Sequence, residues 1–493
     1  MDKECIMLSN WEQSAQVSTR QNGGGTLSQE RKSVIITLML FSTLGDSDTD
    51  VESPSFHQGF YYGWIIVICC TILLAITVGF GCSYGIFFTS LQEEFDWNRV
   101  TTSNVFSLYL LLTGVFSMIG IQLSNSYGPR PVILAAGIVT GLSLMLTSQV
   151  DYSWQIYLTY SFLLAMGTGT TFLTILTMGP RWFSHNKLSA LWIAGAGVGL
   201  GCTVMPPLIA WLISGHGWRD AFQVMAIVAW IVIIPLAILL KRAPALTGSD
   251  SENLPQEQFV ADDSKESSIA DVVRTRDFWV VLLLWFCSSF CLHMVLIHLV
   301  PLGEDIGETL NMATVPMVIM GILMIISRLV IGHIHGSQNR KTVGVTLAMV
   351  ISIAMFWLVD ADETWMLHFF AALFGLAWGG IEPSVVSLTR NLWQGRDVEL
   401  RGAIMYVSWV TGAALGVSFA GAIFYETGEY KFAFFCAAWA MVMTSVFIWS
   451  FPIPVEKKDT PSDVDALTDN PGPIDPETNS VQEATNDGAY SNP

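Results

Sequence analysis

Residues 316–332 read PMVIMGILMIISRLVIG. About 20 apolar residues cross a hydrocarbon core of ~30 Å, so this stretch reads as most of one membrane span. Arg328 breaks its pattern: no other Lys or Arg lies inside any long apolar segment of the chain. A guanidinium at the centre of a bilayer is unfavourable by roughly 2.5–3.5 kcal/mol on insertion scales. Charges of this kind mark substrate or ion pathways. The alternative is snorkelling: Arg328 lies about one helical turn from Gly332, so its head group could extend to the interface.

Working outward, eleven further segments have the same character. The twelve cover 62–88, 102–124, 131–149, 154–178, 188–213, 220–240, 279–300, 311–332, 342–359, 365–389, 402–424 and 432–452. The expected fold is therefore an all-α membrane protein, with twelve transmembrane helices in two pseudo-symmetric six-helix bundles. The expected bundles are 58–240 and 279–454. A cytoplasmic linker, 241–278, joins them; its Ser-rich, acidic centre (Ser249–Ser268) reads as solvated chain. Residues 1–57 and 455–493 read as polar, disordered tails. Within the first, Val34–Leu44 follows Arg31 and Lys32 like a signal-peptide core, but it lies deep in the chain and is too short to span.

Composition excludes other classes. Apolar residues make up 52% of the chain and charged residues only 13%, against about 25% charged in soluble domains. The net charge of −18 argues against nucleic acid as a partner. No nucleotide-binding loop or nucleophile–base spacing is present, so an enzyme is not expected. The eight cysteines fall almost all in apolar segments with no metal-ligand spacing, so neither metal nor cofactor is expected.

Charge also predicts orientation. With the N-terminus inside, the inner connections carry Arg130, Arg181, Lys187, Lys241, Arg242, Arg274, Arg276, Arg340, Lys341, Arg390, Arg396 and Arg401. The outer ones carry only Arg99, Arg219 and Lys431, with Glu93, Glu94, Asp96, Glu304, Asp305, Glu308, Asp360, Asp362 and Glu363. Both termini are expected in the cytoplasm, with the plasma membrane as the location.

The halves echo each other. Gly197-Val198-Gly199 precedes Trp218-Arg219-Asp220-Ala221-Phe222, and Leu415-Gly416-Val417 precedes Tyr430-Lys431-Phe432-Ala433-Phe434. Parallel six-helix repeats with a midplane site between them are a known transporter plan.

Several motifs resemble the major facilitator superfamily, in particular its monocarboxylate transporter and oxalate/formate antiporter branch. The first span opens Phe60-Tyr61-Tyr62-Gly63-Trp64 and closes Tyr84-Gly85-Ile86-Phe87-Phe88. The loop after span two reads Asn125-Ser126-Tyr127-Gly128-Pro129-Arg130-Pro131-Val132, similar to the superfamily loop motif, with Asn where most facilitators carry Asp. Span five opens Arg181-Trp182-Phe183-Ser184-His185-Asn186-Lys187-Leu188-Ser189-Ala190, like the branch signature. The resemblance covers residues 59–452 and implies that Arg328 holds a substrate carboxylate. It also exposes departures. Met324 stands where monocarboxylate transporters have Asp, and Cys82 stands where they have Lys. Span eleven has no Lys, unlike the oxalate antiporter.

Arg suits a carboxylate because its planar fork makes two parallel hydrogen bonds. Glu382, before Pro383, is the one carboxylate well inside a span and is a candidate proton-coupling partner of Arg328; a static pair is the alternative. Tyr84, Asn104, Thr170, Thr174, His298 and Tyr406 are candidate substrate contacts, although Thr hydroxyls also bond their own helix carbonyls. His293 reads as a structural histidine. Asn125, Gly128 and Arg130 are candidates for a conformational loop. Gly195–Gly201 and Gly412/Gly416 read as close-approach faces where the halves rock. The expected function is secondary transport of a small organic anion by alternating access, within a lipid bilayer, with protons as one coupling ion. Proton-independent anion exchange and a non-transporting nutrient sensor are the alternatives.

Overall fold

A computed structural model describes residues 62–178, 182, 187–241, 275–331, 337–392 and 398–450. Both tails, most of the linker, Arg181, Phe183–Asn186, Trp393 and Arg396 lie outside the described residues. Among the described residues, twelve helices are long and apolar enough to cross a membrane. They are α1 (Tyr62–Ile86), α2 (Arg99–Tyr127), α3 (Pro129–Thr147), α4 (Ser153–Met178), α5 (Ala190–His216), α6 (Trp218–Leu239), α7 (Phe278–Asp305), α8 (Leu310–Ile331), α9 (Lys341–Val359), α10 (Thr364–Glu382), α11 (Ile404–Thr427) and α12 (Lys431–Ser450). The described residues contain no strand. In a bilayer this is expected, because a helix satisfies its backbone internally.

Helix ends follow local chemistry. Asn98 caps α2 by accepting from the Thr101 amide at 2.9 Å. Gly128, at φ 90°, breaks the chain between α2 and α3, and Pro129 opens α3; its missing N–H is no loss in a first turn. Several helices outrun the apolar segments read from sequence, α2 by three residues at each end among them. α7 continues through Pro301 to Asp305, and α11 continues to Thr427, because helical hydrogen bonding persists beyond the hydrocarbon core.

Packing reveals the duplication. In the first bundle α1 packs on α5, α2 on α4 and α3 on α6; in the second α7 packs on α11, α8 on α10 and α9 on α12. Adding six to each helix number turns one set into the other. The bundles meet through α2 against α11 and α5 against α8, two contacts that the same operation exchanges.

The connections after odd-numbered helices share one face, called here the Arg99 face. Arg219 bonds Glu94 at 2.9 Å and the Val150 carbonyl at 3.2 Å, which holds the Glu94 carboxyl below its ordinary range. Trp97 donates to Ser153, and Thr364 to Glu308. At the opposite face Tyr62 donates to the Leu239 carbonyl, and Lys341 lies over Trp449.

The alternating glycines of α5 divide by helical period. A methyl on Gly201 would meet the Gly79 backbone of α1 at 2.9 Å, whereas one on Gly199 would meet Ile325 of α8 at 2.7 Å and the Gly321 carbonyl at 2.8 Å. Gly199 thus seals the junction between bundles. Gly412 and Gly416 do not: they pack on Phe286 and Phe290 of α7, inside the second bundle. That corrects the reading of those two as a rocking face; the period of α11 turns them toward their own bundle.

Gly199→Leu is expected to lower thermal stability in detergent by several degrees, since overpacking costs about 1–3 kcal/mol. Gly215→Ala, where nothing lies within 4 Å, leaves the transition unchanged. A melting curve of each variant checks both.

Candidate functional site

Arg328 lies one turn from the end of α8 and is 3% exposed. It does not snorkel. One guanidinium nitrogen donates to the Gly195 carbonyl of α5 at 2.5 Å. The other donates to the Glu382 carboxylate of α10. The charge therefore sits where the first bundle meets the second, with one partner in each. Its Nε is buried without a hydrogen-bond partner. Gly195 admits this arrangement: a methyl there would stand 3.0 Å from the guanidinium.

Glu382 is the more open partner, its side chain 26% exposed against 4% for Arg328. A buried pair is stable only when both charges are neutralised and hydrogen-bonded; removing one partner costs about 3–5 kcal/mol. An incoming anion is the one kind of ligand that can replace Glu382 without leaving the guanidinium bare.

Two of the three departures from the resembled branch add no further charge beside this pair. Met324, one turn before Arg328, is 1% exposed and packs beneath Gly379 of α10. The Cys82 sulfur lies 2.7 Å from that of Cys202, joining α1 to α5 within the first bundle.

The other predicted contacts are dispersed. Tyr84 is fully buried, donates to the Thr102 carbonyl at 2.8 Å and stacks on Phe106. Thr174 donates to the Thr170 carbonyl, and Thr168, Thr171 and Thr177 likewise bond their own helix. Tyr406 reaches across the bundles: its hydroxyl lies 3.2 Å from Ser117 and its ring stacks on Phe172 of α4. Ser418 donates to Asn104 at 2.9 Å, again between bundles. His293 bonds Ser289, one turn back in its own helix. Asn125 and Arg130 are exposed beside Gly128, at the opposite face from Arg99.

His298 lies near the Arg99 face. Its ring nitrogens meet the Tyr430 hydroxyl at 3.0 Å and the Val417 carbonyl at 3.1 Å. Tyr430 leads to a junction that sequence reasoning missed. Arg99 of α2 grips Asp305 of α7 through two hydrogen bonds of 2.5 and 2.8 Å. It also donates to the Tyr430 hydroxyl at 2.5 Å and covers the Phe424 ring, 3.7 Å from its centroid. Thr89 donates to Glu304 at 2.6 Å. Each of these contacts joins the first bundle to the second, so the Arg99 face is shut.

Comparison with known proteins agrees with this architecture. A family model described as Major Facilitator Superfamily matches residues 67–396. Monocarboxylate transporter 13 of Rattus norvegicus is 25% identical over 396 residues, 79% of this chain and 89% of that protein. Monocarboxylate transporter 2 of Homo sapiens is 22% identical, covering 78% and 84%. Among solved structures, the inward open conformation of the xylose transporter XylE from E. coli matches with a TM-score of 0.63 and 15% identity. That match covers 82% of this chain and all of XylE, and shows the shared fold.

Removing the carboxylate from the Arg99 junction should loosen this face. A cysteine at Ser418, labelled by an impermeant thiol reagent from the Arg99 side, is expected to react several-fold faster when Asp305→Asn is added. Equal rates would mean that the junction does not hold the face shut.

Proposed function

The chain belongs to the Major Facilitator Superfamily, resembling its monocarboxylate transporters, and from that premise we propose that it carries small organic anions across the membrane by alternating access. One observation supports the reading above all: Arg328 is buried at the meeting of the bundles, shared between Gly195 and Glu382. In the empty protein Glu382 occupies the guanidinium. An entering carboxylate takes its place, and Arg328 offers it the forked geometry that a point charge lacks. Glu382, released, is the group that takes up a proton and so couples transport to pH.

In this reading both termini are cytoplasmic, the protein resides in the plasma membrane, and the Arg99 face is external. The conformation is then closed outward. The bundles rock about the α2–α11 and α5–α8 contacts, with Arg328 spanning the second of these. Asn125, Gly128 and Arg130 belong to the loop between α2 and α3 on the inner side, where they act on turnover rather than on recognition.

A second reading, exchange of anions without protons, is favoured by the two replaced charges: Met324 is apolar and buried, and Cys82 faces Cys202. It differs in a measurable way, because uptake then needs an internal anion and ignores a pH gradient.

Proteoliposome uptake of labelled carboxylates tests the proposal. Arg328→Lys keeps the charge and loses the fork; a charge-assisted hydrogen bond contributes about 1.5–3 kcal/mol, so uptake should fall roughly 10- to 100-fold. Glu382→Gln is expected to abolish stimulation by a pH gradient. Stimulation that survives Glu382→Gln would remove that residue's coupling role, and unimpaired uptake by Arg328→Lys would remove the proposal itself.

A further inference from the structure

The surface beside the ion pair has its own chemistry. Trp378 stands one turn before Glu382 on α10, so the two share a helical stripe. Met324 holds the corresponding place before Arg328 on α8. From the pair toward the Arg99 face, the neighbours are therefore a thioether and an indole. Trp378 is buried, and its ring meets Trp409 of α11 at 6.2 Å. Trp409 meets Trp285 of α7 edge to face at 5.3 Å and His293 at 5.8 Å. Trp285, His293 and Trp409 are each only partly buried.

The setting of α11 turns this wall toward the first bundle. Tyr406, one turn before Trp409, touches Ser117 and Phe172 of the first bundle. Val410, the next residue after Trp409, lies against Gly114 of α2. Two polar atoms of the wall, Trp285 Nε1 and Ser288 Oγ, are buried with no hydrogen-bond partner. Buried donors are rarely left so. Aromatic faces also bind flat apolar groups through area and ring geometry. The wall carries no Lys or Arg, so a second carboxylate would be desolvated there without a counter-charge.

We propose that the site takes a monoanion with an aromatic or comparably bulky apolar body. The carboxylate lies on Arg328 and the body lies against Trp378, Trp409 and Trp285. Trp285 and Ser288 donate to an acceptor atom on that body. This rests on Arg328 being the carboxylate site.

The test uses full-length protein in proteoliposomes, with labelled acetate and labelled indole-3-acetate as separate probes and succinate as competitor. Indole-3-acetate is expected to be taken up with at least a tenfold lower half-saturating concentration than acetate, and succinate is expected not to compete. Trp409→Leu should reduce that preference at least fivefold, and Trp409→Phe, which keeps a ring, should retain most of it. The ratio of the two probes within one variant is the readout, so a lower yield of folded protein does not imitate the effect. Uptake of acetate without preference for the indole overturns this inference and leaves the proposed function standing. A preference unchanged in Trp409→Leu overturns it as well. Uptake of neither probe overturns both.

Discussion

A guanidinium in a dry interior must be neutralised on every side it presents, and the arrangement around Arg328 follows from that demand. α8 brings the charge, α10 the carboxylate and α5 the backbone carbonyl. Gly195 has no side chain, so the carbonyl of an otherwise hydrogen-bonded helix can be approached closely. Were Glu382 absent, the remaining carbonyl could not compensate a buried cation. The pair therefore holds α8 and α10 in register within one bundle, while the Gly195 bond crosses to the other. A ligand that competes for the guanidinium acts directly on the contact between bundles.

The two ends of that interface are built differently. Toward Arg328 the polar links across the bundles are fewer among the described residues: its bond to the Gly195 carbonyl, beside the close contact of Gly199 with α8, and the Tyr406 hydroxyl against Ser117. At the Arg99 face there is a forked ion pair, a tyrosine hydroxyl, a cation over an aromatic ring and a threonine–glutamate bond. Opening the Arg99 face breaks several interactions together, a cooperative step. In the proposed function that difference sets which state the empty protein prefers, and substrate binding at Arg328 shifts the balance from the other side.

The fold was largely legible because a bilayer imposes length and composition on each span. Twelve apolar stretches therefore sufficed to read the helices, and echoed glycine and aromatic motifs sufficed to read the repeat. Arg328 and Glu382 were legible individually as rare intramembrane charges; their lodging against Gly195 was not, since nothing local to Gly195 distinguishes it from Gly197. The two differ only in the helical face they occupy, which sends one toward α8 and the other toward α1. Arg99 and Asp305 read as ordinary loop charges, because α7 runs past its apolar segment and brings Asp305 to α2 only in three dimensions. His298 suggested a substrate contact by being polar in an apolar helix; its partners, Tyr430 and Val417, come from residues more than a hundred positions away.

The central claim is that an anion displaces Glu382 from Arg328. Infrared difference spectroscopy on the reconstituted protein, with and without acetate, observes that event at the carboxyl group itself. A protonated-carboxyl band that appears on acetate addition, shifts with isotopically labelled glutamate and vanishes in Glu382→Gln is the predicted result. Saturable acetate binding with an unaltered Glu382 signal would contradict the claim.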